Sequence, residues 1–390
     1  MLIPHLLRYA ADGMPGDGTA DVAAAVETAA PGEVGHALAA GLGPLLRRAC
    51  QAVEDRLAPP LRNALIGTDL TARFRHHDSV EGAKAAVDIC ADLGVPVVLL
   101  KGISVSGQCY PVGHLRPMGD VDLLVPASAA TALEAAFLLR GYRPSLDKMG
   151  PGAHHRKPLL DPERPVWIEL HTTLFPADSP LQRGRLFNPD EAIAQCADAH
   201  FHDRPAGRLG DELQLAYIAS YWVRDISMHG IHPGFVMPVV DAAALLAASG
   251  ARFDWDRLLA SLDNPLAAAS LLILLSSLSR YHGVDLPSRL LARLSATQDL
   301  IGRPERTIIE AMVHANLIGG RPFGPVESWH LWSNLIRPGR VVGKLLALPW
   351  NILFPPSRPQ RYNLGWQAAR ITRRFRPAGP QSWSPTPGRN

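Results

Sequence analysis

Residues 95–125 constrain this chain more than any other stretch. Val95–Leu100 is a short β-branched, apolar run that ends at Lys101-Gly102. After a loop, Gly119-Asp120-Val121-Asp122 leads into a second apolar run, Leu123-Leu124-Val125. Such runs, bounded by glycine and proline, read as buried strands. Side chains alternate across a strand, so Asp120 and Asp122 project from one face while Val121, Leu123 and Val125 pack on the other. Two carboxylates roughly 6–7 Å apart on one face repel each other unless a cation compensates them. Mg²⁺ takes oxygen ligands and commonly uses one or two carboxylates plus substrate phosphates. The bland alternative is a solvated loop before a strand, since short motifs match by chance.

Neighbouring residues weigh against that alternative. Gly102, without a Cβ, allows close backbone approach to a phosphate. Ser104 offers a hydroxyl donor, and Lys101 and Arg116 place positive charge on either side of the loop. Phosphoryl and nucleotidyl transfer depend on positioning and charge neutralisation, which these residue types supply. A third carboxylate, Glu169, lies in the apolar run Val166–Leu170, followed by His171. A carboxylate there is costly unless a metal or cation compensates it, and a buried salt bridge is the competing explanation. Glu169 is expected to complete the metal site or act as general base, with His171 orienting it or meeting a phosphate.

The rest of the chain supplies the frame. Asp21–Ala29, Gly35–Leu57 and Val80–Leu93 carry apolar residues three and four apart and are expected to be helical, the last capped by Asp78-Ser79 and stopped by Gly94. Ala127–Arg140 is a further helix. His154–Leu160 and Val166–Leu170 are strands joined by the turn-rich Asp161-Pro162-Glu163-Arg164-Pro165. Helices return at Glu212–Arg224, Val236–Ala248, Trp255–Leu262 and Leu266–Tyr281. The pattern gives an α+β chain: an N-terminal helical segment (1–90), a small mixed-sheet core (91–205), a helical C-terminal domain (206–376) and a disordered tail (377–390).

Composition excludes several classes. Hydrophobic content of 47 % with 19 % charged residues describes a globular chain. Cys50, Cys90, Cys109 and Cys196 form no zinc-type spacing and are read as buried thiols in a reducing compartment. No H-E-x-x-H, Walker loop or G-x-S-x-G occurs. No signal peptide is evident, and Leu266–Leu278 is too short to span a bilayer, so a cytoplasmic protein without a membrane span is expected. After Glu327 the chain has ten basic and no acidic residues. Residues 1–327 therefore hold 29 basic against 36 acidic side chains, a net of −7. The basic end is read as contacting a polyanion, docking on the chain's own acidic surface, or simply being solvated.

The string Leu99-Leu100-Lys101-Gly102, the Tyr110-Pro111 loop and Leu115-Arg116-Pro117-Met118-Gly119-Asp120-Val121-Asp122 resemble an uncharacterised bacterial nucleotidyltransferase family of the polymerase-beta-like superfamily. Ile168-Glu169-Leu170-His171, Asp241 within an apolar run and Phe354-Pro355-Pro356-Ser357 extend the resemblance over most of residues 30–375. The resemblance implies Mg²⁺-dependent transfer, with two ions, of a nucleoside monophosphate from an NTP to a hydroxyl-bearing acceptor. By that implication Asp120, Asp122 and Glu169 hold the metal. Lys101, Gly102, Ser104, Arg116 and His171 serve the nucleotide. Two departures stand out: Ile103 separates the superfamily's usual Gly-Ser pair, and Ser220-Tyr221 replaces an expected histidine. Family members are linked with peptide natural-product and polysaccharide gene sets, which points to a peptide or glycan acceptor; small molecules and, through the basic tail, nucleic acid stay open. The competing readings are a phosphotransferase on the same metal site and a non-catalytic, antitoxin-like nucleotide-binding protein.

Overall fold

A computed structural model describes residues 1–16, 19–146, 153–196, 200–229, 231–320, 335–336 and 339–346. The expected disordered tail, and the Phe354–Ser357 stretch, lie outside these residues. Among the described residues eight short strands form: β1 (Val98–Leu100), β2 (Asp120–Leu124), β3 (Arg143–Pro144), β4 (Leu159–Leu160), β5 (Trp167–His171), β6 (His200–Phe201), β7 (Arg204–Pro205) and β8 (Gly207–Arg208). Six make one mixed sheet in the order β3-β4-β5-β2-β1-β8, and β6 and β7 pair separately. The central pair β2–β5 is parallel, while β1 runs antiparallel to β2. The chain is α+β, as the sequence implies.

The sheet has two apolar faces, and each builds its own core. Val97, Leu99, Val121, Leu123, Ile168 and Leu170 pack on one side against Ala83, Ala86, Val87 and Cys90 of α5 (Pro59–Asp92) and against Leu133 and Phe137 of a later helix (Ala130–Leu139). Val98, Leu100 and Leu124 face the other way, into a larger core shared by the N-terminal and C-terminal helices. Among these are α1 (Leu2–Ala11), α4 (Gly43–Ala49), α6 (Lys101–Cys109), and, numbering the Ala130–Leu139 helix α7 and Pro189–Ala194 α8, α9 (Asp211–His229), α10 (Met237–Ser249) and α12 (Pro265–His282). The remaining helices of the described chain before residue 300 are α2 (Ala20–Thr28), α3 (Pro31–Ala39), α11 (Trp255–Ser261) and α13 (Leu290–Thr297).

Three expectations need correction. Gly35–Leu57 is broken into α3, α4 and a 3₁₀ turn, Gln51–Arg56, because Gly41 turns the chain at φ 79°. The helix ending at Gly94 starts at Pro59, so Asp78 and Ser79 are interior and cap nothing. In its first half the buried stripe carries Leu65, Asp69 and Ala72 while Leu70 and Phe74 face outward, which hides the apolar period. The segment after Gly102 is a helix, α6, rather than a loop; its glycines and serines are weak helix formers. Pro233–Arg252 is apolar and long enough to cross a membrane, and it packs against α1, α6 and α9. All four cysteines are buried and free. Within the basic end, Lys344 sits at 6 % exposure with its Nζ 3.1 Å from Glu305, so this part docks on an acidic group of the same chain.

Candidate active site

The β2–β5 register puts the acidic residues together. Asp122 lies opposite Glu169, Asp120 opposite Trp167 and Leu124 opposite His171. Alternation then sets Asp120, Asp122, Glu169 and His171 on the same face, the one that looks toward α9 and α10. Asp122 is buried, and its Oδ1 accepts from Lys101 Nζ at 2.6 Å and from His171 Nε2 at 2.7 Å. The same His171 nitrogen stands 3.6 Å from Glu169 Oε2. Ligand atoms of Asp122, Glu169 and His171 all fall within 4.8 Å of one another.

The charges of this cluster are unequal in a way its surroundings explain. Asp120 is pushed up to about 7, first by the negative charge of Asp122 and then by burial. Burial alone would raise Asp122, but the Lys101 ammonium and the His171 hydrogen bond outweigh it and hold that carboxyl well below the usual range. Glu169 follows the same logic: burial raises it, the adjacent His171 ring lowers it, and the net direction is down. Lys101 is raised, because Asp122 overcomes the cost of burying the ammonium. The cluster therefore keeps two carboxylates ionised and a third ready to ionise when positive charge arrives. Three carboxylates on one face are hard oxygen donors that suit a divalent cation. His171 Nε2 lies 2.7 Å from Asp122, and His171 belongs to the group of three residues that could hold a metal ion.

The remaining residues expected at the site occupy distinct places. Lys101 opens α6 at φ 45°, a left-handed conformation for a side-chain-bearing residue. Gly102 follows it; a Cβ here would lie 2.9 Å from Arg116 Nη1 and Met118 Cγ, so the glycine makes room for that packing. Ser104 is buried within α6 and its Oγ has no partner among the described residues. Arg116 is pinned elsewhere. Its Nη2 and Nε donate to Asp241 at 3.0 and 3.2 Å, and Tyr110 Oη donates to the same carboxylate at 2.7 Å. The positive charge of Arg116 is thus spent on a fully buried acid of α10, which ties the segment leading to Asp120 to the helical half.

Several site residues carried too little signal to be found in the sequence. His154 and His155 bring their rings to 5.0 and 5.2 Å from His171, and His155 Nδ1 stands 3.9 Å from Glu169. His154 is lowered to about 2 by burial and by the neighbouring His171, so it stays neutral. The doublet was visible, but nothing in the sequence set it beside β5. From α9, Tyr217 is raised to about 12 by burial and feels both Lys101 and Asp122. Arg224 of the same helix stacks 5.5 Å over the Phe175 ring. Tyr217, Tyr221 and Arg224 recur at helical spacing, yet in the sequence they look like any half-apolar helix face. Beside the open end of β2 and β5 lies a cavity of about 770 Å³, walled by Met118, Gly119, Trp167, Arg143 and Arg164. Its size falls within the range of small-molecule sites.

A family model described as "uncharacterised nucleotidyltransferase" matches residues 36–282, which includes every residue of the carboxylate site. No curated protein matches the chain. Among solved structures, the solution structure of the antibiotic-resistance factor ANT(2'')-Ia is similar over 53 % of this chain and 94 % of that one, at 13 % identity and a TM-score of 0.31, too low to support any inference. The match of the family model over well more than half the chain is what assigns it: this protein belongs to the uncharacterised nucleotidyltransferase family and is a nucleotidyltransferase.

Proposed function

We propose that the protein moves a nucleoside monophosphate from an NTP to an acceptor hydroxyl, with Asp120, Asp122 and Glu169 holding Mg²⁺, two ions, between them. The observation that carries this reading is the parallel β2–β5 register, which sets Asp122 against Glu169 with Asp120 two residues away on the same face. A divalent cation bound there would neutralise charge on the phosphate oxygens and so ease attack at phosphorus. The chain's own residues set the stage for it. Lys101 and His171 fix one oxygen of Asp122, orienting the carboxylate. Asp120, raised mainly by the negative charge of Asp122, would lose its proton where a cation is held beside the pair. The acceptor hydroxyl passes its proton to Glu169 as its oxygen bonds to the α-phosphorus, the bond from that phosphorus to the bridging oxygen breaks, and pyrophosphate leaves with that oxygen. In the cavity beside Trp167, Arg164 is paired with both Asp161 and Glu163, and the indole on a rigid strand offers a planar wall.

The test is transfer of label from α-labelled NTP across a panel of peptide, glycan and small-molecule hydroxyls, with pyrophosphate measured. Wild type should transfer only with a divalent cation, and Asp122→Asn should lose the activity by at least about 100-fold, in the range seen when an electrostatic group is removed from a transition-state site. Equal transfer by both proteins without metal would sink the reading. Release of nucleoside diphosphate in place of pyrophosphate would move the enzyme to phosphotransfer.

A further inference from the structure

A second charged cavity lies away from the carboxylates, between α4, α5 and the 3₁₀ turn Gly113–Leu115. It measures about 180 Å³ and is lined by Arg47, Arg48, Arg73 and His114, with Asp69 and Glu54 as the acids. Asp69 is 2 % exposed and gathers the group: Arg47 Nη1 donates to it at 2.7 Å, Arg73 Nε at 2.8 Å, and His114 Nε2 lies 3.1 Å away. Arg47 Nε donates to Glu54, and Arg48 Nε to the Met14 carbonyl. Among the described residues, these bonds leave Arg47 Nη2 and both terminal nitrogens of Arg48 and Arg73 without a partner. Three guanidinium groups face two carboxylates, so the cavity keeps a net positive charge.

We infer that this cavity is a binding site for a small phosphate oxyanion, either orthophosphate or pyrophosphate, separate from the catalytic centre. Guanidinium forks match tetrahedral oxyanions, and three converging on one small space repel each other until an anion offsets them. Volume argues the class. At about 180 Å³ the space is below the roughly 300–1,000 Å³ of sites that enclose drug-sized ligands, so a nucleoside does not fit inside. Asp69 does not compete for the role: it already meets Arg47, Arg73 and His114, and it serves to hold the two arginines in place. Position gives the site a consequence. Leu115 lines the cavity and the next residue, Arg116, is the one locked to Asp241, with Asp120 four residues further on. An anion held by Arg47, Arg48 and Arg73 stiffens the start of the segment that delivers Asp120 to the catalytic face. Gly113 of the same turn has the His76 ring against it, so close that a Cβ would lie 2.4 Å from Cε1; the turn is already packed on α5 and has little slack.

The experiment is calorimetric titration of the full-length protein with sodium pyrophosphate and with sodium orthophosphate. Divalent cations are chelated, and sodium chloride matched for ionic strength is the control. We expect saturable binding of one equivalent, weakened at least tenfold in Arg73→Gln and in Arg48→Gln and retained in Asp122→Asn. The stronger of the two anions names the source. ATP in the same assay should bind this site more weakly than pyrophosphate. Arg73 is 56 % exposed at its side chain, so its replacement leaves the fold intact, and the Arg48 variant provides an independent check. Absence of binding above the chloride control would overturn the inference. So would unchanged affinity in both arginine variants, or loss of binding in Asp122→Asn, which would put the anion at the carboxylates. Because the titration needs no turnover and no acceptor, it stands or falls independently of the transfer assay.

Discussion

At φ 45° the Lys101 side chain crowds its own backbone, which costs a non-glycine residue about 1–3 kcal/mol. The retained lysine ends 2.6 Å from Asp122, so the strain is balanced by a buried ion pair with an additional hydrogen bond from His171. Lys101→Met removes the ammonium and leaves Asp122 charged and buried; a loss of about 3 kcal/mol in urea unfolding is expected. The double variant Lys101→Met/Asp122→Asn, with neither charge left, should recover much of that loss, and strict additivity of the two changes would contradict the pairing. Asp120 supplies a pH signature. Its folded value near 7 lies above the ordinary 3.8, so between those limits the folded protein holds a proton that the unfolded chain releases. Its contribution is therefore present below about 4 and is lost as pH rises through about 7. Asp122, depressed, contributes in the opposite sense, its stability being lost as pH falls. Mg²⁺ favours ionised Asp120, so thermal melts with Mg²⁺ against a chelator should show a stabilisation that grows from pH 5 to pH 8. A metal effect independent of pH would remove Asp120 from the site.

Elements carry these residues with different legibility. The strands β2 and β5 could be read directly, because apolar side chains alternate with acids in each, and alternation alone places Asp120 with Asp122 and Glu169 with His171. Their adjacency could not: parallel pairing of segments some 45 residues apart is decided by tertiary packing, and no local feature encodes it. The helix α6 was hidden by Gly102, Ser104, Ser106 and Gly107, which look like a loop until the strand before it and α10 behind it hold them. Asp241 was visible as an acid in an apolar run, but its partner Arg116 lies 125 residues away. This clamp makes a prediction at its own scale. Asp241→Ala strands Arg116 in a buried position and should cost about 3–5 kcal/mol. Gly102→Ala forces the same guanidinium aside by crowding it at 2.9 Å and should cost about 1–3 kcal/mol. Both should lower transfer, because both release the segment that ends at Asp120. A Gly102→Ala protein with unaltered unfolding and unaltered activity would show that Arg116 can move freely, contrary to the packing described.

The whole molecule is joined across its length in a way that composition and periodicity conceal. Each helix announces an apolar face, but not which other face covers it. The N-terminal helix α1 buries Leu2, Ile3, Leu6, Leu7, Tyr9 and Ala10 against α10 and α12, so the first residues of the chain complete a core built by residues more than two hundred positions later. That core also backs the sheet face bearing the carboxylates, through Val98, Leu100 and Leu124. A physical route therefore runs from α1 to α10, from Asp241 to Arg116, and on to Asp120, although α1 contributes no side chain to the site. Burying one large apolar side chain contributes about 1.5–3 kcal/mol, and a domain's net stability is only about 5–15 kcal/mol. Removing residues 1–12 strips five such side chains at once and should abolish cooperative unfolding in urea. Transfer should be lost with it, with every carboxylate still in the chain. The point variant Leu7→Ala separates the two effects: a cavity in that core should cost about 2–5 kcal/mol while the folded remainder keeps its activity. If the truncated protein instead melted cooperatively and remained active, the N-terminal helix would be an appendage and the shared core would have to be redrawn.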